Sequence, residues 1–404
     1  DLSVKDTSIE HIIARDYPYL KLKINTKDDS LRTPLQLKSW RILYDPLPEA
    51  SINPSAKLNF YNDTIIEGDT LSLSTTIENI STVDMDSVLV SYFILNEKYG
   101  MVPVFSSRID SLKANDTLNI SMSYPTLGFA GDNRLLIKVN PDYDQPELTL
   151  FNNNGIIPFY VKKDVLNPLL DVSFDGVHIL DGDIVSSQPE ILIRLDDENR
   201  YLAMNDTSLL NVFIVMPDGN MIKQVFDGHK MLFKPAGADF KENNRAEVLL
   251  YPDLQEDGVY KLIVQGKDRT GNESGAFDYI ISFEVVNETT VTNVINYPNP
   301  FTSSTRFVFT LTGTQIPDFF KIQIMNIGGK VVKEINMAEL GPIHIGRNIT
   351  EYAWDGRDEY GDMLANGVYL YRVIARLNGQ TLKHRSNESD KFFKSGLGKM
   401  VIIR

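Results

Sequence analysis

The sequence predicts an all-β chain built as a string of β-sandwiches. Three observations carry that expectation. Short segments with alternating apolar side chains recur along most of the length, the pattern of a strand with one buried face. Val, Ile, Tyr, Phe and Thr dominate those segments, while Gly, Asn, Asp and Pro punctuate them. No long stretch keeps the 3.6-residue period of an amphipathic helix.

The first candidate strands lie around Ile9–Ala14, Leu20–Asn25 and Ser39–Tyr44. They are too few for a sandwich, so residues 1–50 read as the C-terminal fragment of a preceding β domain. A Pro-rich joint, Asp45-Pro46-Leu47-Pro48-Glu49, closes them. Leu71–Ile77, Val88–Ile94, Leu118–Met122, Leu135–Val139 and Ile156–Val161 then fill a domain at 51–163. The second joint runs from Lys162-Lys163-Asp164 to Pro168. Beyond it Ile191–Leu195, Ala246–Leu250, Val259–Val264 and Tyr279–Val285 fill a domain at 164–287. After Asn287-Glu288-Thr289-Thr290, residues 288–404 hold Thr305–Leu311, Lys321–Met325, Val368–Ala375 and a closing strand Met400–Ile403. The last three segments are of ordinary sandwich size.

The chain has 404 residues, 42% hydrophobic and 23% charged, as folded protein does and a disordered tail does not. It has no apolar run of the roughly 18 residues that a membrane-spanning helix needs. Lys and Arg number 40 against 54 Asp and Glu, a net charge of −14. So acidic a surface repels phosphate and argues against nucleic acid and anionic membrane as partners. Cysteine is absent, which removes disulfides, thiolate metal sites and a cysteine nucleophile. The chain opens at Asp1 without an apolar leader and is expected to be a processed product or a piece of something longer.

Two segments echo one another. Glu256-Asp257-Gly258-Val259-Tyr260 parallels Ala365-Asn366-Gly367-Val368-Tyr369. The Gly supplies a turn residue with positive φ, and the Tyr two places on enters a strand. Such a tyrosine ties its hydroxyl to a corner of the sandwich, a role in the fold and not in chemistry.

Catalytic chemistry is poorly supplied. His11, His178, His229, His344 and His384 share no motif, and no Gly-x-Ser-x-Gly elbow occurs. No catalytic residue is therefore assigned. Carboxylates cluster at Asp181-Gly182-Asp183, at Asp196-Asp197-Glu198, at Asp142, Asp144 and Glu147, and at Asp355, Asp358, Glu359 and Asp362. Calcium wants six to eight oxygens, which such loops could supply in part. None has the spacing of a twelve-residue calcium loop, and acidic turn residues explain them as well. No cofactor and no metal ligand is assigned, calcium being the one ion left open. Carbohydrate binding would need exposed aromatic platforms, but Trp occurs only at 40 and 354, and most Tyr and Phe fall in strand patterns. Ile327-Gly328-Gly329-Lys330 reads as a hairpin turn and not a phosphate cradle.

The most specific motifs are C-terminal. Asn296-Tyr297-Pro298-Asn299-Pro300-Phe301 opens the last domain and leads to Ser303-Ser304-Thr305-Arg306-Phe307. Ile322 to Val332 follows, then Trp354-Asp355-Gly356-Arg357-Asp358, Asn366-Gly367-Val368-Tyr369-Leu370-Tyr371 and Lys399-Met400-Val401-Ile402-Ile403-Arg404. In this order the blocks resemble the type A C-terminal sorting domain of the type IX secretion pathway. Trp-Asp-Gly and Gly-Val-Tyr also resemble the immunoglobulin-like domain of the flagellar hook-cap scaffold. The stretch from Gly379 to Gly398 is longer than that family's final hairpin. The resemblance implies a sorting or docking motif of Asn296, Pro298, Pro300, Phe301, Trp354, Asp355, Gly356, Gly367, Tyr369, Lys399, Met400 and Val401. Trp354 reads as a core anchor. Pro298 and Pro300 fix an extended entry, and the closing strand is expected at a sheet edge, where a partner could pair with it.

Upstream, Thr76-Ile77-Glu78-Asn79 and the stretch from Asn140-Pro141-Asp142 to Asn152-Asn153-Asn154 make 51–163 resemble an adhesion-type sandwich of bacterial cell-surface proteins. Asp257-Gly258-Val259-Tyr260 and Asp268-Arg269-Thr270-Gly271-Asn272 make 164–287 resemble a bacterial Ig-like domain. Through Tyr17-Pro18-Tyr19-Leu20, Trp40 to Glu49 and Asp175-Gly176 to Asp183-Ile184, the whole resembles the C-terminal region of gingipain-like cysteine peptidases related to the type IX sortase. That family keeps its catalytic Cys and His in an N-terminal domain, so the residues here are not the enzyme.

Asp, then Ser or Thr, then an aliphatic residue occurs six times, with the hydroxyl at Ser30, Thr64, Thr70, Ser87, Ser111 and Thr117. Average composition gives about two. The tripeptide resembles the O-glycosylation acceptor of exported Bacteroidota proteins, and it equally describes strand entry, a turn Asp before a β-former.

The resulting expectation is a rod-like array of tandem immunoglobulin-like β-sandwiches on an exported protein. It would be non-catalytic, at the cell surface or outside it, with type IX or outer-membrane proteins as partners. Two alternatives stand beside it, the accessory part of a secreted cysteine peptidase and a surface adhesin or glycan binder.

Overall fold

A computed structural model describes residues 8–13, 17, 19–25, 27–34, 36, 37, 39–60, 64–384, 393, 394 and 396–404. Its elements are nearly all strands, arranged in six sheets that pair into three sandwiches in tandem. Each sandwich has its own apolar core.

In the first, Thr70–Asn79 pairs along its length with Thr117–Pro125, and with the short strands Ala50–Ile52 and Leu58–Phe60. The facing sheet runs in the order Thr64–Ile66, Asn154–Lys162, Gly131–Val139, Met85–Asn96, Gly100–Leu112. Its first pair is parallel and the others antiparallel. Alternate residues Leu71, Leu73 and Ile77 meet Val88, Val90, Tyr92 and Ile94 in the core, as period-2 patterning requires. Each such side chain stabilises the sandwich by about 1.5–3 kcal/mol relative to exposure.

The second repeats the plan. Leu169–Phe174, Ile191–Asp197, Asn244–Leu250 and Met231–Lys234 form one sheet. Asp183–Val185, Tyr279–Val285, Gly258–Gly266, Leu210–Val215 and Met221–Lys223 form the other. The third has Gly346–Ile349, Arg306–Leu311, Thr290–Tyr297 and Lys383–His384 on one side. Opposite them lie Val331–Asn336, Phe319–Asn326, Gly367–Leu377, Leu397–Ile402 and Phe393–Lys394, with Gln380–Thr381 paired to Gly367–Leu377. Every alternating segment expected from Leu71 onward overlaps a strand.

The two corner tyrosines behave alike. Tyr260 Oη donates to Glu256 O at 2.9 Å, and Tyr369 Oη donates to Ala365 O at 2.9 Å. The preceding glycines have φ of +145° and +151°.

The N-terminal segment differs from expectation. Among the described residues before Ala50 there is no strand, and the predicted strands near Leu20–Asn25 and Ser39–Tyr44 are not formed. Ile9–Ala14 forms none over its described part, Ala14 lying outside the described residues. A strand needs a neighbour for its hydrogen bonds and a surface for its apolar face. These residues find neither, and Tyr19 is 93% and Leu43 87% exposed.

Candidate functional site

The motif residues of the last domain come from distant points of the chain and meet around the strand Leu397–Ile402. Tyr297-Pro298 and Asn299-Pro300 are both cis. The turn they make is closed by Thr305, whose Oγ1 donates to Pro298 O at 2.8 Å and accepts from buried Asn296 Nδ2 at 3.1 Å. Phe301 follows, buried against Trp354 with ring centroids 5.6 Å apart.

Trp354 has no exposed surface. Its Nε1 donates to Arg357 O at 2.8 Å, and its backbone exchanges two hydrogen bonds with Thr305 at 2.8 and 2.9 Å. The expected core anchor is therefore in place. Gly356 follows with φ +78°, and a Cβ there would lie 2.5 Å from Arg404 Nη2. The room left by glycine lets that guanidinium donate to Asp355 O at 2.6 Å and Leu364 O at 3.1 Å. Arg404 is also held by its backbone, since its N–H donates to Asn366 Oδ1 and its carbonyl accepts from Asn366 Nδ2, both at 3.0 Å.

Gly367 and Tyr369 sit on the strand that pairs antiparallel with Leu397–Ile402, in the register Gly367↔Ile402 to Tyr371↔Gly398. Met400 points into the core, Val401 is half-buried and the Lys399 side chain is exposed.

The closing strand was expected at a sheet edge where a partner could pair with it, and that side is covered. On its far side it pairs with Phe393–Lys394. Asn299 covers the next stretch, its Nδ2 donating to Lys399 O at 2.9 Å and its Oδ1 accepting from Val401 N at 3.0 Å. Phe301 N donates to Val401 O at 3.1 Å, and Phe301 O accepts from Ile403 N at 2.9 Å. The Asn-Tyr-Pro-Asn-Pro-Phe turn thus supplies the hydrogen bonds that a partner strand would otherwise make. The side chains of Lys399, Tyr297 and Ile403 are exposed. Asn299, Asn366 and Arg404 lie within the quoted blocks but were not singled out. Their work is done by side chains on backbone groups about a hundred or forty residues away, which local spacing does not display. Of the stretch from Gly379 to Gly398, residues 385–392 and 395 lie outside the described residues.

The candidate glycosylation residues fall on residues 1–50 and the first sandwich. Ser30, Thr64, Thr70 and Thr117 are exposed, while Ser87 and Ser111 are half-buried. Asp63 lies outside the described residues. Thr64, Thr70 and Thr117 each open a strand, and Asp69 and Asp116 accept the backbone N–H of Thr70 and Thr117 at 2.7 Å.

The histidines are spread over the chain. His178 forms an exposed pair with Asp171 at 2.7 Å, and His344 Nδ1 lies 2.8 Å from Ile345 O. Of the acidic runs, Asp181 and Asp183 accept backbone N–H groups, as does Asp358. Asp144 pairs with Arg108, Asp355 with Arg357 and Glu359 with Lys333. Glu147 turns inward to accept from Ala50 N, Asn140 Nδ2 and Asn153 Nδ2. No described helix is long and apolar enough to cross a membrane.

No family model matches the chain, and no curated protein does. Among solved structures it is similar to the dimeric latent PorU from Porphyromonas gingivalis, 13% identical over 89% of this chain and 34% of that one, TM-score 0.24. The chain thus spans about a third of that protein's length. The CARDB domain of the PF1109 protein from Pyrococcus furiosus, solved with di-metal ions, is 15% identical over 30% of this chain and 100% of its own, TM-score 0.25. A β-glucosidase from Listeria innocua is 14% identical over 30% of this chain and 17% of that one, TM-score 0.22.

Proposed function

We propose that the chain is the non-catalytic β-sandwich array of an exported protein at the surface of a Gram-negative bacterium. Residues 288–404 serve type IX secretion and docking at the outer membrane, and type IX or outer-membrane proteins are the partners. Residues 51–163 and 164–287 space that domain from the rest of the protein and offer interaction surfaces. The ordered C-terminal blocks carry this reading. Their convergence on one strand, with Trp354 and Phe301 beneath and Lys399 above, supports it, because it gives dispersed motif residues one location.

The accessory part of a secreted cysteine peptidase is a second reading. The exposed Tyr17, Tyr19, Trp40 and Tyr44 favour it, since apolar surface of this kind suits packing against a further domain. Fusing residues 288–404 to a periplasmic reporter in a type IX-competent host tests the export role. The fusion is expected at the cell surface, and a reporter retained in the periplasm overturns the proposal.

A further inference from the structure

Where the first sandwich meets the second, three carboxylates share one buried site. Asp164 lies just past the last strand of the first sandwich, Asp197 ends Ile191–Asp197, and Asp268 sits in the turn after Gly258–Gly266. They are 9%, 8% and 2% exposed. One oxygen from each lies within 4.8 Å of the others.

Their surroundings organise them without neutralising them. Asp268 Oδ1 accepts from the backbone N–H of Thr270, Gly271 and Asn272, and its Oδ2 accepts from Asn272 Nδ2. Asp164 Oδ1 accepts from Leu166 N and its Oδ2 from Asn199 Nδ2 at 2.8 Å. Asn199 Nδ2 also reaches Glu67 O of the first sandwich at 3.3 Å. Asp197 Oδ2 has a long contact with Asn244 Nδ2, 3.5 Å, while buried Asp197 Oδ1 has no hydrogen-bond partner. Among the described residues, no Lys, Arg or His forms an ion pair with any of the three; Arg245 goes to Asp196 and Arg269 to Asn205.

Three buried carboxylates at this separation repel one another, and removing one carboxylate's last partner is costly in a low dielectric. A cation settles both problems. We infer that Asp164, Asp197 and Asp268 bind a calcium ion that ties the joint between the first two sandwiches to both sheets of the second. Ca²⁺–oxygen bonds of about 2.3–2.6 Å place two ligands of one ion at most about 5 Å apart, which the three oxygens satisfy. The donor set is all oxygen, which suits a hard cation and not zinc, whose ligands are chiefly nitrogen and sulfur. Mg²⁺ keeps several of its waters, which a buried set disfavours.

The 404-residue chain, stripped with EDTA, is titrated with CaCl₂ by calorimetry and melted with and without millimolar Ca²⁺. The expected result is saturable binding with Kd of about 10⁻³ M or tighter, as for extracellular calcium modules, and a higher Tm in Ca²⁺. Asp197→Asn weakens binding about tenfold or more, yet melts no lower than wild type without metal, because it removes one repelling charge. Asp181→Asn, at an exposed turn, leaves Kd unchanged. Absence of heat and of any Tm shift overturns the inference, as does binding that survives Asp197→Asn or is matched by Mg²⁺.

Discussion

Tyr260 and Tyr369 make the same bond four residues back in two different sandwiches, so their contribution is measurable twice. Tyr369→Phe leaves Ala365 O without its donor and is expected to cost about 0.5–1.5 kcal/mol, as is Tyr260→Phe with Glu256 O. Urea melts would show it, and a cost in one variant only would break the equivalence. This role was legible because Gly, the Tyr and its acceptor lie within five residues of sequence. Glu147 is a different case. Burial, against three hydrogen bonds, raises its pKa above the ordinary 4.5. The sign follows from linkage: the protonated form suits the fold, so the contribution is full below about 4.5 and is lost as pH rises through the raised value. Wild type is therefore expected to gain stability relative to Glu147→Gln as pH falls from 7 to 4, and a pH-independent gap would contradict this. Nothing in the sequence set Glu147 apart from Asp142 and Asp144, because its inward turn depends on Ala50, a strand residue 97 positions away.

At the scale of elements, the closing strand is held by side chains as much as by strands. Asn299→Ala removes both bonds to Lys399 O and Val401 N and is expected to cost about 1–2 kcal/mol. Amide exchange at Val401 should rise while exchange at Ile322 in the core strand stays slow; unchanged protection at Val401 would refute the clasp. Trp354→Ala removes the anchor beneath and should cost about 3–5 kcal/mol. The strands themselves were legible from residue 71 onward because each has one buried face, and burial writes period-2 patterning into sequence. The same patterning misleads among the described residues before Ala50, where apolar residues alternate but form no strand. The edge position of the closing strand was misjudged for a related reason. Sequence shows where a strand is, while its free side depends on which turn folds against it.

For the molecule as a whole, three separate cores leave the sandwiches to meet at two joints. At the first joint Asn199 bridges Glu67 O and Asp164. At the second, Asp183–Val185 packs on Gly346–Ile349, beside a cleft lined by Asp175, His178, His344 and Arg347. The acidic triad was invisible in sequence, since its members sit in a linker, a strand end and a turn that only the folded joint unites. Residues 288–404 are proposed as the export and docking unit. The most direct measurement of that role is the surface-accessible fraction of the full chain, by protease shaving of intact cells, in type IX-competent and type IX-deficient strains. Surface exposure is expected in the competent strain alone, lost on deleting residues 288–404. Equal exposure in both strains, or exposure that survives the deletion, would contradict it.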